Sequence, residues 1–172
     1  MSRSLQPYIW LVRLLPLLLT ATASAQEVQP ATLGAPVSAF EQALGGPNDA
    51  TIGPLMHYSR CLGTGVDQFV LMAPNDQVWS IQRNWCELAV RSVEDRFADA
   101  AHYLPSDAVA GDSFTTDLGE SAQTFVSASV AAALPAGLFH DCTGNAVTAG
   151  TLFVVADSFG GWYMGPGTCP GG

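Results

Sequence analysis

The chain has 172 residues and a formal charge of −9, from 15 Asp and Glu against six arginines and no lysine. An acid excess of this size repels phosphate backbones and anionic bilayers, which argues against nucleic acid and acidic membrane surfaces as partners. The length is enough to bury a real core, so disulfides would reinforce the fold rather than replace one.

Residues 1–25 read as a cleavable secretory signal. Arg3 and Arg13 supply positive charge, Leu14 to Leu19 a short apolar run, and Ala23-Ser24-Ala25 a small-residue cleavage site. A spanning helix needs roughly 20 apolar residues, and Arg13 interrupts this run, so a membrane anchor is disfavoured. No second long apolar run follows, so no membrane span is expected in the mature chain. Removal of the leader would leave Arg60, Arg83, Arg91 and Arg96 against all 15 acids, a formal charge of 4 − 15 = −11. The expected location is extracellular or periplasmic.

Residues 26–32 are polar, contain Pro30 and show no period, as in a flexible lead-in. Residues 33–172 are then expected to form one α+β domain, an antiparallel sheet with a few short helices packed on it and two disulfides. Pro36 suits a first helical turn, Val37, Phe40 and Leu44 share a face, and Gly45-Gly46-Pro47 stops the helix, which predicts a helix over 36–44. Alternation and β-branched or aromatic content predict strands at 55–61, 66–72 and 77–83, with a turn at Pro74-Asn75-Asp76. In the third of these, Trp79 and Ile81 should face one way and Val78, Ser80 and Gln82 the other.

The helical period returns after Cys86. Ser92-Val93-Glu94-Asp95 reads as a variant capping box, Val93, Phe97, Ala100, Ala101 and Leu104 as a stripe, and Pro105 as a stop. Residues 112–118 and 122–129 are strand candidates, and Val130 to Leu134 a helical turn. Gly150 to Ala156 is the clearest strand, turned at Gly160-Gly161 into Trp162-Tyr163-Met164. Alternating βαβα is absent, so a parallel sheet is not expected.

Cys61, Cys86, Cys142 and Cys169 form an even set in a chain read as exported, which points to disulfides. The spacing lacks the close cysteine pairs of a structural zinc site. Sequence-local pairing, Cys61 with Cys86 and Cys142 with Cys169, is the expected connectivity, each bond contributing about 3–4 kcal/mol by loop entropy.

The stretch Leu33-Gly-Ala-Pro-Val-Ser-Ala-Phe-Glu-Gln-Ala-Leu-Gly-Gly-Pro47 resembles the first helix of small exported bacterial modules similar to the SmpA/OmlA lipoproteins and the β-lactamase-inhibitory proteins. The resemblance implies short helices on an antiparallel sheet and protein binding rather than catalysis. It covers about fifteen residues, carries no binding residue across, and the chain lacks a lipobox cysteine.

The candidates for chemistry each have a plainer explanation. His140-Asp141 beside Cys142 suggests a nucleophilic site, but sequence neighbours in extended chain face opposite ways, and a disulfide-bonded Cys142 is no nucleophile. Ser158 lies in Asp157-Ser158-Phe159-Gly160-Gly161, which lacks the nucleophile-elbow pattern and reads as a turn. His57, His102 and His140 are dispersed, and neither Asn75-Asp76 nor Gly144-Asn145 extends into a calcium loop. Glu94, Asp95 and Asp99 read as a solvated helix face, while Glu87 and Glu120 form a glycosidase pair only on paper. Trp79, Trp85, Trp162 and Tyr163 are expected mainly in the core. No catalytic, cofactor or metal residue is therefore assigned. The expected function is that of an exported non-catalytic module binding another protein or a cell-envelope component. The alternatives are a small hydrolase with a dispersed site that involves His140, and a structural envelope protein.

Overall fold

The computed structural model describes residues 30–45, 51–52, 54–59, 67–85 and 91–170. The expected leader, most of the lead-in, Cys61, Cys86 and Glu87 lie outside the described residues.

The described residues form a mixed α+β fold with one antiparallel sheet. In chain order the elements are α1 (Val37–Leu44), β1 (Thr51–Ile52), β2 (Leu55–Ser59), β3 (Asp67–Met72), β4 (Ser80–Trp85), α2 (Val93–Ala101), β5 (Val109–Thr115), β6 (Ser121–Val126), α3 (Ala128–Ala133), β7 (Thr151–Ala156) and β8 (Trp162–Pro166). The strand order is β1-β2-β3-β4-β8-β7-β6-β5. Each half of the chain is thus a four-strand meander, and the two meet through their last strands. The joint is antiparallel, with Ile81 opposite Met164, Gln82 opposite Tyr163 and Arg83 opposite Trp162.

Side chains two apart share a sheet face, so the register sorts them into layers. Leu71, Ile81, Met164 and Val154 stand in one row across β3, β4, β8 and β7. All four are buried, in one core with Phe40 of α1, Ala100 of α2 and Val130 of α3. At about 1.5–3 kcal/mol for each large aliphatic side chain buried, this row and its helices dominate the stability. The alternate row, Val70, Gln82, Tyr163 and Val155, points to the other face.

The first helix is as read: Phe40 is fully buried, and Gly45 ends it at φ 83°, with its N–H on the Glu41 carbonyl. The Ser92 hydroxyl caps α2 by accepting from the Asp95 N–H at 3.1 Å. Several expectations are corrected. Val78 is fully buried although it was placed on the wetter face. The ladder of β4 begins only at Ser80, and Val78 instead exchanges backbone hydrogen bonds with Gly34 and Ala35. The strand expected over 122–129 stops at Val126, because Ser127 caps α3 through the Val130 N–H at 3.2 Å. The strand expected over 112–118 starts earlier and ends at Thr115, where Thr116 and Glu120 close a turn backbone to backbone.

The expectation of two disulfides is corrected to one among the described residues, Cys142–Cys169, with a Cα separation of 4.7 Å. Its two segments are already neighbours, since the Thr168 N–H donates to the His140 carbonyl at 3.1 Å. Cys61 and Cys86 lie outside the described residues. The described ladder sets β3 between β2 and β4, so strand pairing supplies no direct link between the segments that carry them.

Both sheet edges are blunted. β1 has two residues, and the register of β5 shifts between Ala110 and Ser113, a bulge region that holds Gly111 and the exposed Asp112. A short edge, a bulge and a charge each discourage strand addition. Among the described residues no helix is long and apolar enough to cross a membrane.

Candidate functional site

The helices lie on one face of the sheet, and the other face is covered over only part of its width. Over the second meander, Ala122, Phe153 and Val155 are buried there, with Phe114 and Tyr163 packed on them. Cys142, Thr168 and Pro170, held by the Cys142–Cys169 bond, stand beside Phe114 and Tyr163, whereas Phe139 of the same connection is buried in the helix-side core. Over β3 and β4 the same face carries Val70 and Gln82, and among these described residues Gln82 is exposed. A groove of about 430 Å³ runs along the boundary, lined by Ser80, Gln82, Leu138, His140, Phe153 and Tyr163, with Gly165 in its floor.

Because Gly165 has no side chain, the Phe153 ring packs directly over it. A Cβ there would stand 3.2 Å from the Phe153 ring and 3.7 Å from the Ser80 Cβ. Phe153 and Tyr163 meet edge to face, with centroids 5.9 Å apart and planes at 77°. One wall is His140, whose place is set by the tail. Gly167 at φ 87° brings the chain so close that a Cβ would collide with the His140 backbone, and the disulfide fixes the approach. Only glycine takes that backbone conformation without strain.

Tyr163 separates this groove from a smaller one of about 200 Å³ lined by Phe114, Thr116, Leu118, Glu120 and Thr168. Its phenol pKa is pushed up to about 12, chiefly by burial, then by the negative charges of Glu120 and Asp157 and by its hydrogen bond to Glu120. It therefore stays protonated across the neutral range. Glu120 is only 7 % exposed, and its carboxylate accepts the Ser158 N–H at 2.9 Å. Asp157 is likewise buried and accepts the N–H groups of Phe159 at 2.8 Å and Gly161 at 2.9 Å. These two carboxylates brace neighbouring turns at one end of the sheet. Leu118 at 81 % and Phe159 at 93 % exposure stand on those turns.

The residues singled out in the sequence are not brought together as a catalytic set. His140 Nδ1 lies 3.1 Å from the Asp141 backbone carbonyl. The Asp141 carboxylate is occupied by the Thr143 N–H and hydroxyl and by the Asn145 N–H, at 2.7–2.9 Å, which holds its pKa down at about 2. His140 and Asp141 are therefore not a dyad, and Cys142 is in the disulfide. Ser158 is in a turn with its N–H on Glu120. His102 closes α2 as an exposed residue, and His57 is in β2. Among the described residues no group of three or more His, Cys, Asp and Glu is arranged to hold a metal. The proposed partner of Glu120, Glu87, lies outside the described residues.

Asp99 corrects the solvated-face reading of α2. It pairs with Arg83 and accepts the Trp162 indole N–H at 2.7 Å, tying α2 to β4 and β8. Arg96, only 8 % exposed, donates to the Asp157 carbonyl and to the Ser92 carbonyl. Of the four aromatics, Trp162 is fully buried, Trp79 and Trp85 pack against the core, and Tyr163 lines the groove. A second polar cluster joins Asp107 to Ser127 and Ser129. Both hydroxyls donate to the carboxylate at 2.7 Å and the Ser129 N–H at 2.8 Å, lowering the Asp107 pKa to about 2. With no histidine in the cluster, it clamps the start of α3 rather than forming a nucleophilic site.

The sequence reading named Glu120 only as half of a glycosidase pair, and it gave no site role to Gly165, Arg96 or Asp107, whose partners lie across the fold. Comparison with family models, with curated proteins and with solved structures finds no match.

Proposed function

We propose that the protein is an exported, non-catalytic binding module, and that it takes a cell-envelope component or another protein in the groove beside Tyr163 and His140. The observation that carries this reading is the wall of the groove: a covalent staple holds His140 against an otherwise open sheet face. Such a wall pre-organises a concave surface and lowers the ordering cost of binding. A disulfide also suits an oxidising compartment, in keeping with a leader at residues 1–25. The likeness of residues 33–47 to protein-binding exported modules supports the same class.

The test uses the full chain with its leader processed. Mass spectrometry of exported protein is expected to give an N-terminus within a few residues of Gln26. Saturable retention on isolated cell-envelope material, competed by unlabelled protein and lost in Tyr163→Ala, is expected. Hydrolysis of an ester, glycoside or peptide that His140→Ala abolishes would sink the reading in favour of an enzyme.

A further inference from the structure

We propose that the groove is built for an uncharged, polyhydroxylated ligand, a short stretch of neutral glycan. The inference rests on the binding reading above and names the ligand class it takes. Three observations carry it.

The first is charge. The chain holds 15 Asp and Glu and six arginines, yet among the described residues none that lines this groove is an Asp, Glu or Arg, and His140 is the one titratable side chain besides Tyr163. His140 Nδ1 lies 3.1 Å from the Asp141 backbone carbonyl. A charged ligand would give up its hydration here and meet no counter-charge, which is costly.

The second is the state of the backbone. The floor strands β4 and β8 are interior strands, each paired on both sides, and both sheet edges are blunted by a two-residue strand or a bulge. An extended peptide is usually captured by adding to a free edge. No such ladder is on offer in this groove, so recognition falls to side chains.

The third is the mixture of those side chains. The Ser80 hydroxyl and the Gln82 amide both donate and accept, and the Tyr163 phenol, hydrogen-bonded to Glu120, keeps its oxygen as an acceptor. They stand around the half-buried Leu138 and the edge of Phe153 that remains 6 % exposed. A purely apolar ligand would strip water from the polar groups and leave them unpaired, which is unfavourable. A sugar ring offers C–H faces to the apolar surface and hydroxyls to the polar groups. The volume of about 430 Å³ lies in the range of small-molecule sites.

The experiment titrates the isotopically labelled full chain with maltotriose, cellotriose and triacetylchitotriose. Trigalacturonate and an uncharged pentapeptide serve as comparators, and NMR and calorimetry are the readouts. Expected is saturation by at least one of the neutral saccharides, with the Tyr163 and His140 ring signals moving together. Gly165→Val, which pushes the Phe153 ring out of its seat on Gly165, and the gentler Gln82→Ala at an exposed position are each expected to weaken that binding by about tenfold. Neutral saccharides that produce no saturable change overturn the inference, as does saturation that both variants leave untouched. Saturation by the pentapeptide or by trigalacturonate alone overturns the glycan assignment and leaves the binding-module reading standing. Failure of every probe together with no retention on envelope material removes both.

Discussion

β4 and β7 are both six-residue interior strands of the same sheet, yet they live in different surroundings. Every residue of β7 is buried, whereas in β4 only Ile81 is. The difference lies in what covers the second face. β7 has the helix-side core on one side and Phe114 and Tyr163 packed over Phe153 and Val155 on the other, while among the described residues β4 has that core on one side and the exposed Gln82 on the other. The doubly covered half supplies rigidity, and the singly covered half supplies surface. The groove forms where one gives way to the other.

The largest effect should come from the doubly covered half. Trp162 is fully buried and its indole N–H serves Asp99. Trp162→Ala is expected to lower stability by about 3–5 kcal/mol in urea unfolding, the usual cost of deleting a buried aromatic. Gln82→Ala, directly across the open face from Tyr163, should stay within about 0.5 kcal/mol of the parent. Equal losses in the two variants would erase the contrast between the halves.

The staple should come next. Cys142 and Cys169 are 27 residues apart, and loop entropy assigns the bond about 3–4 kcal/mol. Replacing both by serine is expected to cost up to that amount. Amide exchange should rise first around His140, Val155 and Thr168, and leave β3 and β4 as they were. Faster exchange spread evenly over all strands would show that the cover is not a local device.

Acid should act on the connections of the second half. Asp107 and Asp141 both have pKa values lowered to about 2 by hydrogen bonds that only the folded chain makes. An unfolded chain binds more protons between the ordinary carboxylate range and that value. Their contribution is therefore complete above about pH 4 and lost as the pH falls through 2. Asp107→Asn should be less stable than the parent at pH 6, and the gap should close as the pH approaches 2. A gap that does not depend on pH would mean that the clamp on Ser127 and Ser129 acts through shape rather than charge.

Local signals carried much of the fold. The helix from Val37 to Leu44 was legible because Pro36 starts it, Gly45 stops it and Phe40 marks its buried face. The Ser92 cap and the strands Asp67–Met72 and Thr151–Ala156 were legible for similar reasons, since propensity, turn chemistry and period agreed at each. The 122–129 stretch misled because β propensity continued past Val126, while the Ser127 cap and its clamp by Asp107, twenty residues earlier, decided for a helix. The site was barely legible. Tyr163 and His140 were named, but Gly165, Glu120 and Ser80 acquire their roles only across strands.

Sequence by itself determined the class of the fold, the order of most elements and the acid excess, because those follow from interactions between near neighbours and from composition. Tertiary structure decided that the two meanders join through their last strands, and that Asp99 and Arg96 turn inward to β4, β8 and the Asp157 turn. Each of these depends on groups more than fifteen positions apart. Their pairing is fixed by which face of a common sheet they reach, and period and propensity along one strand do not encode the neighbour across it.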